Sequence, residues 1–148
     1  MTVDPSAYND VTGQILAAAI EVHRTLGPGL LESVYVECLQ LELTARSLRF
    51  VRQRRVPVVY KGTELDARYY VDMIVEDLVV VEIKSVATLL PVHLAQTLTY
   101  MQLTLCPVGL LMNFNVPRLV DGVKRLLNPR AERTAPATGT VQPNQNPF

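Results

Sequence analysis

The chain has 148 residues, 49% of them hydrophobic, which is enough for one core and too little for a second domain of similar size. Fourteen basic and fourteen acidic residues cancel, which excludes a protein that coats DNA by bulk charge. No apolar stretch approaches a membrane span, and Met1 to Asp10 lacks the basic start and apolar run of a secretory leader, so the expectation is a soluble cytoplasmic protein with no membrane partner.

From Val11 to Leu26 the apolar residues Val11, Ile15, Ala18, Val22 and Leu26 recur at helical spacing, and Gly27-Pro28-Gly29 stops that helix. A second helix is predicted from about Leu31 to Arg46, with Tyr35, Cys38, Leu39 and Glu42 on adjoining turns. Arg46, Arg49, Arg52, Arg54 and Arg55 then fall within ten residues, a cluster that suits either a phosphate backbone or a solvated turn and edge strand. Beyond Ser47 the texture becomes β-branched and aromatic, which predicts strands at Phe50 to Gln53, Val56 to Tyr60, Tyr69 to Val75 and Leu78 to Ile83 in an antiparallel meander. The last two are apolar on both faces and need helices on both sides. Pro91 opens a third helix to about Leu103, with Leu94, Leu98 and Met101 on its buried side. Val108 to Asn113 reads as an interior strand, while Leu119 to Leu127 is ambiguous between strand and short helix. One domain is expected over residues 1–128, followed by a disordered, proline-bearing tail at 129–148. Cys38 and Cys106, with no CxxC spacing or histidine cluster, read as buried thiols.

Two acids interrupt the apolar strands. An ionised carboxylate in such a sheet is costly, and Asp72 and Glu82 would have to share one neighbourhood. A divalent cation resolves the cost, because Mg²⁺ is typically held by one or two carboxylates together with water and substrate phosphate. Lys84 leaves the same strand face as Glu82, where it can orient the attacking water or neutralise charge on a phosphate; a plain Glu82–Lys84 ion pair is the bland reading. Strand parity sets a test. Asp72 faces Glu82 only if the connecting loop is centred on Asp77, which demands an odd loop or a bulge; a two-residue turn would put the carboxylates on opposite faces.

Gly29-Leu30-Leu31-Glu32-Ser33-Val34-Tyr35 forms a GxxExxY motif. It is followed in order by Tyr60-Lys61-Gly62, Val71 to Asp77, Val81-Glu82-Ile83-Lys84, His93 to Tyr100 and Gly109 to Asn115. The series resembles the GxxExxY protein family, a branch of the PD-(D/E)XK nuclease superfamily, over nearly everything from Ile15 to Asn128. The resemblance implies an α/β (α+β) restriction-endonuclease-like core, a mixed β-sheet with helices on both faces, with Asp72 and Glu82 as metal ligands and Lys84 as the catalytic lysine. It further implies Glu32 and the main-chain carbonyl of Ile83 as additional ligands, and Gln96 and Tyr100 as residues bordering the site. Read from position alone, Glu32 sits in the first turn of a helix, where the dipole favours any carboxylate, and Tyr35 is either a hydrogen-bond donor near the site or core. His93 shares the face of Gln96 and Tyr100, and His23 lies near a helix end; structural roles are the expectation for both.

The expected activity is Mg²⁺- or Mn²⁺-dependent phosphodiester hydrolysis of DNA or RNA, and a homodimer is a natural candidate because many nucleases of this fold cut two strands as dimers. A nucleic-acid-binding module without cleavage and an accessory or scaffolding subunit stay open as alternatives.

Overall fold

The computed structural model describes residues 5–129. Helix α1 spans Pro5–Leu26, beginning earlier than its apolar period predicts because proline suits a first helical turn. It buries Val11, Ile15, Ala18, Ala19 and Val22. Gly27 takes φ +70° and returns its N–H to the His23 carbonyl at 2.7 Å, which closes the helix end. Helix α2, Glu32–Ala45, packs against α1.

Strands β1 (Phe50–Val56), β4 (Tyr69–Val75), β5 (Val79–Lys84), β6 (Val108–Asn113) and β7 (Val123–Leu127) form one sheet in the order β1-β4-β5-β6-β7. Helix α3 (Pro91–Thr104) connects β5 to β6, the one parallel pair in a sheet whose other neighbours are antiparallel. A separate two-stranded hairpin, β2 (Val59–Tyr60) and β3 (Thr63–Glu64), is inserted between β1 and β4. The ambiguous segment contains both alternatives: a 3-10 turn, η1, at Leu119–Gly122 leads directly into β7.

Helices cover both faces, as the apolar strands require. Ile15, Tyr35, Leu39 and Leu43 from α1 and α2 pack with Met73, Val81, Ile83 and Met112 on one face. On the other, Tyr100 and Met101 of α3 pack with Val56, Val71, Ile74 and Val80. Burying aliphatic and aromatic side chains at roughly 1.5–3 kcal/mol each is what holds the layers together. Cys106 is buried in the second core and Cys38 is half-buried beside the first.

Two expectations need correction. The predicted strand Val56 to Tyr60 is not one strand, because Pro57 lacks an N–H for the ladder; β1 instead carries Arg52, Arg54 and Arg55 and ends at Val56. On α3 the buried residues are Thr97, Tyr100 and Met101, whereas Leu94 and Leu98 are half-buried. The cause lies across the interface. Gly109 of β6 admits the helix so closely that a Cβ there would lie 2.5 Å from Met101 Sδ and 3.3 Å from Thr97 Cγ2. As for the predicted tail, residues 130–148 lie outside the described residues.

Gly122 makes a tighter contact: a Cβ would stand 2.3 Å from the Asn113 carbonyl oxygen, a backbone atom that cannot swing aside. Gly122→Ala is therefore expected to destabilise the fold by roughly 1–3 kcal/mol in chemical denaturation. Gly13→Ala, in mid-helix with open space around it, should stabilise by roughly 0.5–1 kcal/mol.

Candidate active site

The β4–β5 turn sets the site. Glu76 and Asp77 both take left-handed φ values, +53° and +54°, and the Leu78 N–H closes on the Val75 carbonyl at 3.0 Å. Arg49 fastens the turn by exchanging backbone bonds of 2.8 Å with the Glu76 amide and carboxylate and by an ion pair at 3.1 Å. Pairing then runs Val75↔Val79, Ile74↔Val80 and Met73↔Val81, a three-residue loop centred on Asp77. This is the odd register, and it brings Asp72 level with Glu82.

The ladder stops there. The Asp72 N–H donates to Glu82 Oε1 at 3.0 Å and the Ile83 N–H donates to Asp72 Oδ2 at 2.8 Å, so the two carboxylates take the place of main-chain acceptors. On its other side β4 loses a pair at the same level. Arg52↔Met73 and Arg54↔Val71 flank Gln53, which adopts φ +48° opposite Asp72. Strand alternation would put Val71 and Met73 on one face, yet Val71 packs under α3 and Met73 under α1 and α2. Asp72 thus stands where the sheet is interrupted on both sides.

The electrostatics follow from burial. Glu82 is 4% exposed, and desolvation together with the neighbouring Asp72 charge pushes its pKa up to about 8. Desolvation also raises Asp72, against the Ile83 N–H and the charge of Lys84, which pull it down. Lys84 Nζ lies 4.0 Å from Glu82 Oε2, a partial compensation. The second oxygen of each carboxylate, Asp72 Oδ1 and Glu82 Oε2, makes no hydrogen bond among the described residues. Those two hard oxygens, one half-buried and one buried, fit a small divalent cation, which would remove the like-charge cost. Among the described residues no three His, Cys, Asp or Glu side chains gather closely enough to form a metal cage.

The other predicted residues distribute unevenly. Gln96 Nε2 donates to Tyr100 Oη at 3.0 Å, and burial and the charges of Glu82 and Asp72 raise the Tyr100 hydroxyl, so this pair borders the carboxylates. Glu32 is exposed at the start of α2; its carboxylate accepts the Ser85 N–H at 3.3 Å, and its charge raises both Asp72 and Glu82. Ile83 meets the pair through its amide. Tyr35 is away from the pair. Its hydroxyl donates to the Gly27 carbonyl at 2.6 Å and accepts the Leu30 N–H at 3.1 Å, while its ring stacks on Phe114. His93 Nδ1 accepts the Leu90 N–H at 2.9 Å, a helix cap, and buried His23 bonds the Val116 carbonyl at 2.8 Å.

Two positioning residues escaped the sequence reading. Ser85 Oγ donates to the Leu30 carbonyl at 2.6 Å, docking the α1–α2 corner onto the segment that follows β5. Buried Asn113 accepts the Val86 N–H at 3.1 Å and donates to the Val86 carbonyl at 2.9 Å, holding that segment in place. The available signal was an asparagine closing an otherwise apolar strand.

A family model for the PD-(D/E)XK nuclease superfamily matches residues 9–126, a span that contains every site residue described above. No curated protein and no solved structure matches the chain. Among the described residues no helix is long and apolar enough to cross a membrane.

Proposed function

The chain belongs to the PD-(D/E)XK nuclease superfamily, and from that premise we propose that it is a Mg²⁺- or Mn²⁺-dependent nuclease of the GxxExxY branch, hydrolysing phosphodiester bonds in DNA or RNA. The observation that carries this reading is the carboxylate pair itself: Asp72 and Glu82 interrupt the sheet ladder, Glu82 accepting the Asp72 N–H and Asp72 the Ile83 N–H, and each keeps a second oxygen without a hydrogen bond among the described residues. A pair so expensive to bury is explained by a cation it was shaped to hold.

Asp72 and Glu82 would hold the metal, with the Ile83 carbonyl as a further ligand, while Glu32, whose carboxylate accepts the Ser85 N–H, would add its charge beside them. When bound, a divalent cation supplies positive charge that activates water and stabilises the pentavalent phosphate. Lys84, 4.0 Å from Glu82, would place an ammonium beside the same phosphate to orient the attacking water and offset developing charge. The Gln96–Tyr100 pair offers polar contacts at the border of the site. Membership of the GxxExxY branch is supported by what the motif builds. Gly29 takes φ +95°, Glu32 reaches Ser85, and Tyr35 latches Gly27 and Leu30, so the motif props the α1–α2 corner against the metal-site strand.

The test is a panel of single-stranded, duplex and branched DNA and RNA incubated with Mn²⁺ or Mg²⁺. Cleavage that stops on chelation is expected, and Lys84→Ala should slow it by roughly 10²–10³-fold with the fold retained. Failure to cut any member of the panel removes the nuclease reading.

A further inference from the structure

The three exposed tyrosines fall within residues 60–70. Tyr60 is 61% exposed, and Tyr69 and Tyr70 are each 48% exposed, whereas Tyr8, Tyr35 and Tyr100 are buried. The same arm is basic. Residues 52–70 contain Arg52, Arg54, Arg55, Lys61 and Arg68 against Glu64 and Asp66, in a chain whose charges as a whole sum to zero. Both acids are already engaged within the arm, Glu64 with Arg55 at 3.7 Å and Asp66 with Arg68 at 4.0 Å. Arg52 and Arg54 form no ion pair among the described residues. Lys61 lies 5.4 Å from the centre of the Tyr60 ring.

This arm joins the carboxylate pair. Tyr69 begins β4 three residues before Asp72, and its ring lies 6.5 Å from that of Tyr100, tilted by 53°. Tyr100 in turn lies close enough to Glu82 and Asp72 to feel both charges. Arg52 is close enough to influence Asp72. Half-exposed Tyr69 and buried Tyr100 therefore connect the arm to the site, with Arg52 near Asp72. Arginines alone on β1 would be explained as protection of an edge strand. That account leaves half-exposed tyrosine rings unexplained, since edge protection needs charge and not aromatic faces.

Resting on the nuclease reading, we propose that the arm formed by β1, the β2–β3 hairpin and the start of β4 is a platform for unpaired nucleotides, with bases stacking on Tyr69 and Tyr60 and phosphates held by Arg54 and Lys61. The substrate class this names is single-stranded nucleic acid or the frayed end of a duplex. Aromatic faces can stack only on bases whose own faces are free, which paired bases are not. Cations beside those rings supply the salt-dependent share of affinity.

Binding is measured by fluorescence anisotropy in excess chelator, so that cleavage does not intervene, with labelled oligothymidylate, oligouridylate of equal length and a mixed-sequence duplex. The expected result is at least tenfold tighter binding of a single strand than of the duplex, and the ratio of the two single strands distinguishes DNA from RNA as the source. Tyr69→Ala should weaken single-strand binding roughly tenfold, with Tyr69→Phe staying within about twofold because the ring is kept. Arg54→Ala should weaken it with a shallower dependence on salt. Equal affinity for duplex, no binding, or a Tyr69→Phe protein as impaired as Tyr69→Ala overturns the platform. Metal-dependent cleavage is scored separately. Duplex cleavage without single-strand preference overturns the platform and leaves the nuclease reading standing, whereas single-strand preference without cleavage upholds the platform and removes the nuclease reading.

Discussion

Asp72→Asn is expected to stabilise the metal-free protein near pH 8 and at the same time to abolish metal-dependent cleavage. The stabilisation arises because Asp72 and Glu82 are two acids in one partly dry site, where burial opposes the ionisation of both and the Asp72 charge further opposes that of Glu82. An asparagine keeps an oxygen for the Ile83 N–H, which Asp72 now accepts at 2.8 Å, and discards the charge. The gain should be on the order of 1–3 kcal/mol, the scale of a close like-charge pair screened as in real proteins. Cleavage should fall by about three orders of magnitude or more, since the several kcal/mol a metal contributes convert at about 1.4 kcal/mol per tenfold. A thermal-shift titration with Mn²⁺ reads both effects together. The parent protein should start lower and climb as metal binds its native state, by about 2.7 kcal/mol at a hundredfold excess over the dissociation constant, while Asp72→Asn should start higher and stay flat. A variant that starts lower than the parent would mean that Asp72 serves the fold, and the metal reading would lose its main support.

The metal-free protein should also lose stability as pH rises from about 4.5 to about 8. Glu82 has an ordinary pKa of 4.5 in the unfolded chain and about 8 when folded, because burial first and the Asp72 charge second oppose its ionisation. Below 4.5 both states carry the proton and the penalty is absent. Between the two values the unfolded state releases a proton that the folded state keeps, so each unit of pH favours unfolding; above about 8 the curve flattens. The total is on the order of 3–5 kcal/mol across that window. The raised pKa of Asp72 acts in the same direction. Glu76 has the opposite sign, lowered by the Arg49 amide and guanidinium, but its stabilisation is lost only on acidification below 4.5, outside the window. Urea denaturation at a series of pH values should show the decline, and Glu82→Gln should flatten it. Because a ligand carboxyl must ionise to bind metal, Mn²⁺ binding at pH 7 should release about one proton, seen calorimetrically in buffers of different ionisation enthalpy. A parent curve with no slope between pH 5 and 8 would contradict the burial of Glu82.

The site was more legible in the sequence than the surfaces around it. Asp72, Glu82 and Lys84 stood out because charge in a run of valine and isoleucine is costly to bury, and parity arithmetic made a shared site conditional on an odd loop centred on Asp77 or a bulge. The turn meets this condition, with Glu76 and Asp77 in left-handed conformations to make room for a third residue. Helix cover on both faces followed from strands with no polar side. The α3 face followed only in part, because periodicity offered Leu94, Leu98 and Met101; Met101 is buried, whereas the burial of Thr97 in place of Leu94 and Leu98 depended on a glycine lying across the interface on β6.

By itself, then, the sequence determined which residues are costly to bury, where backbone donors are missing and how strand faces must alternate, since these are properties of a residue and its near neighbours. It determined the helices, the apolar strands, the acid pair and the condition on register under which that pair could meet. Only the tertiary structure decided what depends on distant segments meeting. Tyr35 is a latch on the Gly27–Leu30 corner, His93 a helix cap, and Asn113 a clamp on Val86. The interruption of the sheet at Gln53 and Asp72, where three strands meet at one level, is likewise invisible along the chain. The physical reason is common to all of them: a hydrogen bond or a close approach is set by two groups at once, and the linear sequence names only one of them at a time.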